Sequence, residues 1–116
     1  MDVVVADAAA HARSALRLLL EQHPRVRCVT QASTYACLVR SITTADADVM
    51  LLDWRLPGLD LAQLRGACPG ARIIVLCARP EERGAALAAG ADAFVCKGDA
   101  PEVLLASLLP GAPREA

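Results

Sequence analysis

Three side chains stand out for the chemistry they could share: Asp7, Asp53 and Lys97. Asp53 directly follows Val49-Met50-Leu51-Leu52, a run of four apolar residues. A carboxylate in that position can attack a phosphoryl donor and become an acyl phosphate. The reaction needs a divalent cation to neutralise charge, which clustered carboxylates can hold. It also needs fixed positive charge for the transferred oxygens, which a lysine supplies as a point charge. Lys97 is the single lysine among twelve basic residues; the other eleven are arginines. A compositional preference for arginine explains the eleven and leaves the exception asking for a reason. Each residue also has a plainer role open to it. Asp7 could cap the following helix, a role of equal weight to metal binding. Asp53 could be a turn residue, Lys97 a solvated strand end, and Cys77 a core thiol.

The elements that must position these residues alternate strand and helix. Residues 3–5 form a short β-branched run, and residues 9–21 follow with Ala12, Ala15, Leu16, Leu19 and Leu20 on one helical face. Pro24 stops that helix, because proline disfavours helical geometry in the residue before it. Residues 25–30 read as an edge strand. Ser33 or Thr34 caps a second helix that runs through Thr43. Residues 48–53 suit a central strand covered on both faces. Leu56-Pro57-Gly58 is a turn, and a short helix spans residues 59–67. Residues 72–76 form another buried strand. Pro80, Glu81 and Glu82 suit the first turn of the next helix, which Gly90 closes. Residues 93–96 and 100–109 supply a fifth strand and a fifth helix. Residues 110–116 read as a tail or the start of a linker, leaving 1–109 as the domain. Five such units argue for a parallel sheet with helices on both faces.

In an open sheet of this kind, ligands bind beyond the carboxyl ends of the strands. Those ends fall at Asp7, Asp53, Cys77 and Lys97, so two carboxylates and one ammonium converge on one edge.

Bulk properties agree with one domain. The chain has 116 residues, 55% of them apolar and 3% aromatic, so the core is aliphatic. A net charge of -1 offers no overall attraction to nucleic acid or a membrane surface. No apolar run approaches a membrane span, and Met1-Asp2-Val3 does not begin a secretory leader. The five cysteines, Cys28, Cys37, Cys68, Cys77 and Cys96, are scattered and include no C-x-x-C pair. They read as reduced, mostly buried thiols in a cytoplasmic protein, not as a zinc site or disulfide framework.

With these residues in place, the chain resembles the response-regulator receiver family along nearly its whole length. The matching segments are residues 3–7, residues 50–58, residues 73–78 and residues 88–97. The resemblance implies an α/β flavodoxin-like fold, (βα)5, with a doubly wound five-stranded parallel sheet in the order 2-1-3-4-5. It implies that Asp53 is the phosphoacceptor in a two-component phosphorelay and that Lys97 contacts the phosphoryl group. Cys77 takes the place of the hydroxyl residue that ends the fourth strand. Mg²⁺ would be held by Asp7, Asp53 and the backbone carbonyl of Arg55. Phe94 would occupy the aromatic switch position. The implied partners are a histidine kinase or phosphotransfer protein, and a second copy through the face of the fourth helix, fifth strand and fifth helix. The only catalysis implied is the domain's own phosphorylation and dephosphorylation.

Four departures set this chain apart from the family pattern. Ala8 stands where a second acid is usual, which predicts weaker Mg²⁺ binding. Cys77 replaces Thr or Ser, and a thiol is a weak donor, which predicts poorer coupling to the switch. The stretch from Pro57 to Arg72 is short, which trims the third helix. Gly98 replaces the proline that follows the lysine with a cis bond; a cis bond before Gly98 would cost about 2.5–4 kcal/mol. Arg55 and Arg79 could overhang the pocket and supply a guanidinium to phosphoryl oxygens, or could be solvated loop residues. Two other functions compete: a degenerate pseudo-receiver acting as a phosphorylation-independent interaction module, and a small aspartyl-phosphate phosphatase. The last would usually carry a second acid two residues after the nucleophile, where this chain has Arg55.

Overall fold

The computed structural model describes residues 1–110; the expected tail lies outside the described residues beyond Pro110. The strands are β1 (Asp2–Ala6), β2 (Cys28–Ala32), β3 (Val49–Asp53), β4 (Arg72–Cys77) and β5 (Ala93–Cys96). The helices are α1 (Ala10–Leu20), α2 (Tyr35–Thr44), α3 (Leu61–Ala67), α4 (Arg83–Ala88) and α5 (Pro101–Ser107). All strand pairs are parallel, in the order β2-β1-β3-β4-β5. This is the flavodoxin-like arrangement that the family resemblance implies.

Side chains alternate along each strand, so the sheet sorts its apolar residues onto two faces. On one face Val4, Ala6, Met50, Leu52, Ile73 and Val75 meet Leu38 and Ile42 of α2, Leu61 and Leu64 of α3, and Ala86 of α4. On the other, Val3, Val5, Val49, Leu51, Ile74 and Leu76 meet Leu20 of α1, Leu104 of α5 and Leu108 just after it. Every residue of β3 is buried, which explains its unbroken apolar run. Covering both faces leaves only the strand ends free to carry polar chemistry.

Local signals set the boundaries. Thr34 accepts a hydrogen bond from the Cys37 amide and caps α2. Asp60 does the same for α3 through the Gln63 amide, so that helix begins two residues later than the apolar spacing suggests. Pro80–Glu82 forms a 3-10 turn that leads into α4. Gly90 has φ +118° and ends the α4 segment in a conformation other residues rarely adopt.

Two expectations are corrected. The second strand lies at Cys28–Ala32, not at residues 25–30. Val26 is still held in a turn by its bond to the His23 carbonyl, and pairing opens only where Asp2 meets Cys28. An edge strand's extent is set by its neighbour's start, which its own residues do not encode. The cysteines are also less hidden than expected. Cys68 and Cys77 are buried, Cys37 and Cys96 are half-buried, and Cys28 is exposed. All five are free thiols.

Candidate functional site

Asp7 follows β1 directly, and its amide donates to the Ala32 carbonyl at 3.1 Å, tying the β1 end to β2. Asp53 is the last residue of β3 and pairs in register with Leu76. Lys97 follows β5, with its amide bonded to the Cys77 carbonyl at 2.8 Å. Three non-consecutive parts of the chain therefore end at one rim because their strands run parallel.

The Lys97 ammonium lies 3.1 Å from Asp53 Oδ1 and 3.7 Å from Asp7 Oδ2. Both carboxylates are buried, and Lys97 is 41% exposed along its side chain. Two buried anions share one cation, which leaves the cluster with a net negative charge. Such a site attracts a further cation.

The two oxygens of Asp7 have different surroundings, and neither caps α1, whose N-cap is Ala9 with no side-chain cap bond. Oδ1 accepts from the Ala9 amide at 2.9 Å, immediately ahead of α1, in the manner of a helix-entry turn. Oδ2 is buried and has no hydrogen-bond partner, alone among the described residues. A buried acceptor without a hydrogen bond is costly, so Oδ2, with the Lys97 ammonium at 3.7 Å, is suited to a further ion. Asp53 shows the same duality. Its Oδ1 lies 3.3 Å from the Arg55 amide and its carbonyl accepts from Leu56, so it shapes the turn as well as facing Lys97.

The donors at this rim are hard oxygens from two carboxylates, and the Arg55 amide lies 3.3 Å from Asp53 Oδ1. That donor set fits Mg²⁺, which prefers oxygen and keeps several waters. Among the described residues no three His, Cys, Asp or Glu side chains gather as a metal cluster. Ala8 is exposed and offers no side-chain ligand.

Cys77 ends β4 with its thiol buried. Its Sγ donates to Glu82 Oε1 at 3.2 Å. Burial, followed by this contact with the Glu82 carboxylate, pushes the thiol pKa up to about 12. Cys77 is therefore a protonated donor committed to Glu82. Arg55 points its guanidinium to the same acid, 3.6 Å from Glu82 Oε2. Arg79 is exposed. Phe94 on β5 is half-buried and packs against the cluster beneath α2, α3 and α4. No peptide bond among the described residues is cis, the one before Gly98 included.

Sequence reasoning brought Asp7, Asp53, Cys77 and Lys97 to one edge, and they are found there. It did not single out Glu82 as part of the site. Its place in the sequence suits an acid at a helix start, and it does lie in that first turn. The signal available was its position five residues after Cys77, but only the 3-10 turn brings its carboxylate back to the thiol.

A cleft of about 300 Å³ opens between α1 and α5. Ala12, Ala15, Leu16, Leu19 and Leu104 line it, and Asp7 and Lys97 stand at its border. Among the described residues no helix is long and apolar enough to cross a membrane.

Comparison with known proteins agrees with this fold. A family model described as the response regulator receiver domain matches residues 3–109. The nitrate/nitrite response regulator protein NarP of Escherichia coli (strain K12) is 34% identical over 106 residues, covering 86% of this chain and 49% of that protein. The chain thus spans about half the length of this curated relative. The isolated REC domain of RcsB from Salmonella enterica serovar Typhimurium, solved with the phosphomimetic BeF3-, superposes with a TM-score of 0.77 at 26% identity. That match covers 87% of this chain and 80% of the other. A response regulator from Burkholderia pseudomallei, with a phosphorylated aspartic acid and a calcium ion, has a TM-score of 0.81 at 23% identity. It covers 94% of this chain and 66% of that one, and at this identity it speaks to the fold alone.

Proposed function

This chain belongs to the response regulator receiver family of two-component signalling, and from that premise we propose that Asp53 is its phosphoacceptor. The observation that carries the proposal is the Lys97 ammonium 3.1 Å from Asp53 Oδ1 and 3.7 Å from the buried Oδ2 of Asp7. A carboxylate oxygen of Asp53 attacks the donor phosphorus. The donor's P–N or P–O bond breaks, and the leaving group departs with the electron pair. Lys97 stabilises charge on the transferred oxygens without forming a bond to them. The Arg55 amide, 3.3 Å from Asp53 Oδ1, steadies the carboxylate. Asp7, Asp53 and the Arg55 carbonyl would hold Mg²⁺, which would supply further charge neutralisation. With Ala8 in place of a second acid, its affinity is weak.

The donor is a histidine kinase or phosphotransfer protein. Residues 1–109 are read as the receiver domain, and residues 110–116 as a tail or the start of a linker. The greater length of NarP supports a further segment. A second copy docking through α4, β5 and α5 is the homodimer this reading favours; RcsB is described as forming dimers on DNA. The segment itself neither binds nucleic acid nor enters a membrane, and it works in the cytoplasm. It is no enzyme beyond turning over its own phosphoryl group.

Acetyl phosphate and Mg²⁺, followed by intact mass measurement, test the proposal. A gain of one phosphoryl mass that disappears in Asp53→Asn is expected. No gain, or a gain that survives the substitution, overturns it.

A second reading has its own support: Cys77 is bound to Glu82, and Ala8 gives no metal ligand. On that reading the domain is a pseudo-receiver that binds partners without phosphorylation. Titration with Mg²⁺ followed by Trp54 fluorescence separates the two, since Trp54 neighbours Asp53. Clear quenching at millimolar Mg²⁺ or below counts against the pseudo-receiver.

A further inference from the structure

We propose that Glu82 is a positioning residue of this pocket, one whose carboxylate holds Arg55 and Cys77 away from Asp53 until a phosphoryl group arrives. The inference rests on the phosphoacceptor reading above. Glu82 Oε2 lies 3.6 Å from the Arg55 guanidinium, and Oε1 accepts from the Cys77 thiol at 3.2 Å. One carboxylate thus ties the loop after β3 to the end of β4. Glu82 itself sits on the 3-10 turn at Pro80–Glu82, the entrance to α4.

Arg55 is the pivot. Its backbone amide lies 3.3 Å from Asp53 Oδ1, so its anchor is beside the acceptor while its charge is turned to Glu82. The Arg55 side chain is 63% exposed, and an ion pair so exposed is weak and easily exchanged. A phosphoryl group on Asp53 would bring nearly two negative charges and three acceptor oxygens. A guanidinium binds such a group more strongly than it binds one carboxylate. Arg55 then transfers from Glu82 to the phosphoryl oxygens, and the turn loses its tie to β3. A charge change at Asp53 reaches the start of α4 without any hydroxyl on β4. This gives the Cys77-for-hydroxyl replacement a working counterpart.

The test is a double-mutant cycle of Glu82→Gln, Arg55→Ala and the pair together. Each variant is phosphorylated with acetyl phosphate and Mg²⁺, and the rate is read by intact mass. Freeing Arg55 in Glu82→Gln should raise the rate about two- to fivefold, the range open to an exposed ion pair. In the Arg55→Ala background that gain should vanish. Equal acceleration in both backgrounds, or slowing in Glu82→Gln, overturns the proposal, because simple loss of negative charge would act without Arg55.

A second measurement needs no phosphoryl donor. Amide hydrogen exchange across residues 80–88 should quicken in each single variant, with no further gain in the double. Unchanged exchange in both single variants overturns the tie. If the unaltered protein takes no phosphoryl group at all, the phosphoacceptor reading fails. The exchange measurement then decides the Glu82 tie alone.

Discussion

Lys97 reaches Asp53 across an intervening strand: β4 separates β5 from β3, yet Nζ lies 3.1 Å from Oδ1. The contact is made above the sheet edge, where the lysine stem spans the end of β4. Its backbone is fixed by the bond from the Lys97 amide to the Cys77 carbonyl. The ammonium is therefore directed at the acceptor by the strand it crosses.

Removing this ammonium should leave two buried carboxylates uncompensated. Lys97→Met is expected to cost about 1–2 kcal/mol, below the value for a fully buried pair because the lysine is partly exposed. Asp53→Asn in the same chain should return part of that loss. Urea denaturation of the two single variants and the double measures the coupling. Strictly additive effects would count against a shared charge cluster.

Asp7→Asn should weaken Mg²⁺ binding about tenfold, since it removes one of two carboxylates from the donor set. Trp54 fluorescence across a Mg²⁺ titration reads the affinity. An unchanged midpoint would remove Asp7 from the ligand set and return it to its other contact, the Ala9 amide.

Cys77 should be a slow nucleophile. With its thiol pushed up to about 12 by burial and by Glu82, roughly one molecule in ten thousand carries the thiolate at pH 8. Timed alkylation with site-resolved mass analysis should find Cys28, which is exposed, modified well before Cys77. Rapid labelling of Cys77 in the folded protein would contradict its placement against Glu82.

Asp92 should stabilise the fold in a pH-dependent way. Burial works to raise its pKa, but bonds from the Ile73 amide at 2.8 Å and Arg65 at 2.7 Å outweigh it and hold the carboxyl below its ordinary value. A lowered folded pKa means the stabilisation is complete above the unfolded value, near 3.8, and is lost as pH falls through the folded one. Asp92→Asn is expected to cost about 1–2 kcal/mol at pH 7, with the gap to the unaltered protein closing in acid. Thermal melts from pH 7 down to pH 3 check this. A constant gap at every pH would show that the charge is not responsible.

Much of this molecule was legible because apolar runs and breakers carry local physics. The four residues before Asp53 demanded burial on both faces, and β3 has it. Pro24, Gly58 and Gly90 marked where chain direction changes. What failed was relational. The start of β2 depended on where β1 began, and the exposure of Cys28 followed from its place on an edge strand. Glu82 looked like a helix-start acid because nothing local records that a 3-10 turn would bring it to Cys77.

The sequence by itself determined that Asp7, Asp53, Cys77 and Lys97 stand at strand ends, because hydrophobic periodicity fixes where each strand stops. In parallel strands, those ends share one edge. Only the tertiary structure decided how the charges at that edge are shared. Lys97 bridges two buried acids, Asp7 splits its oxygens between the Ala9 amide and the Lys97 ammonium, and Glu82 engages both Arg55 and Cys77. Strand placement follows from burial, which each segment encodes alone. Partner choice among charged groups depends on distances of a few ångströms between segments far apart in the chain, and no single segment carries that information.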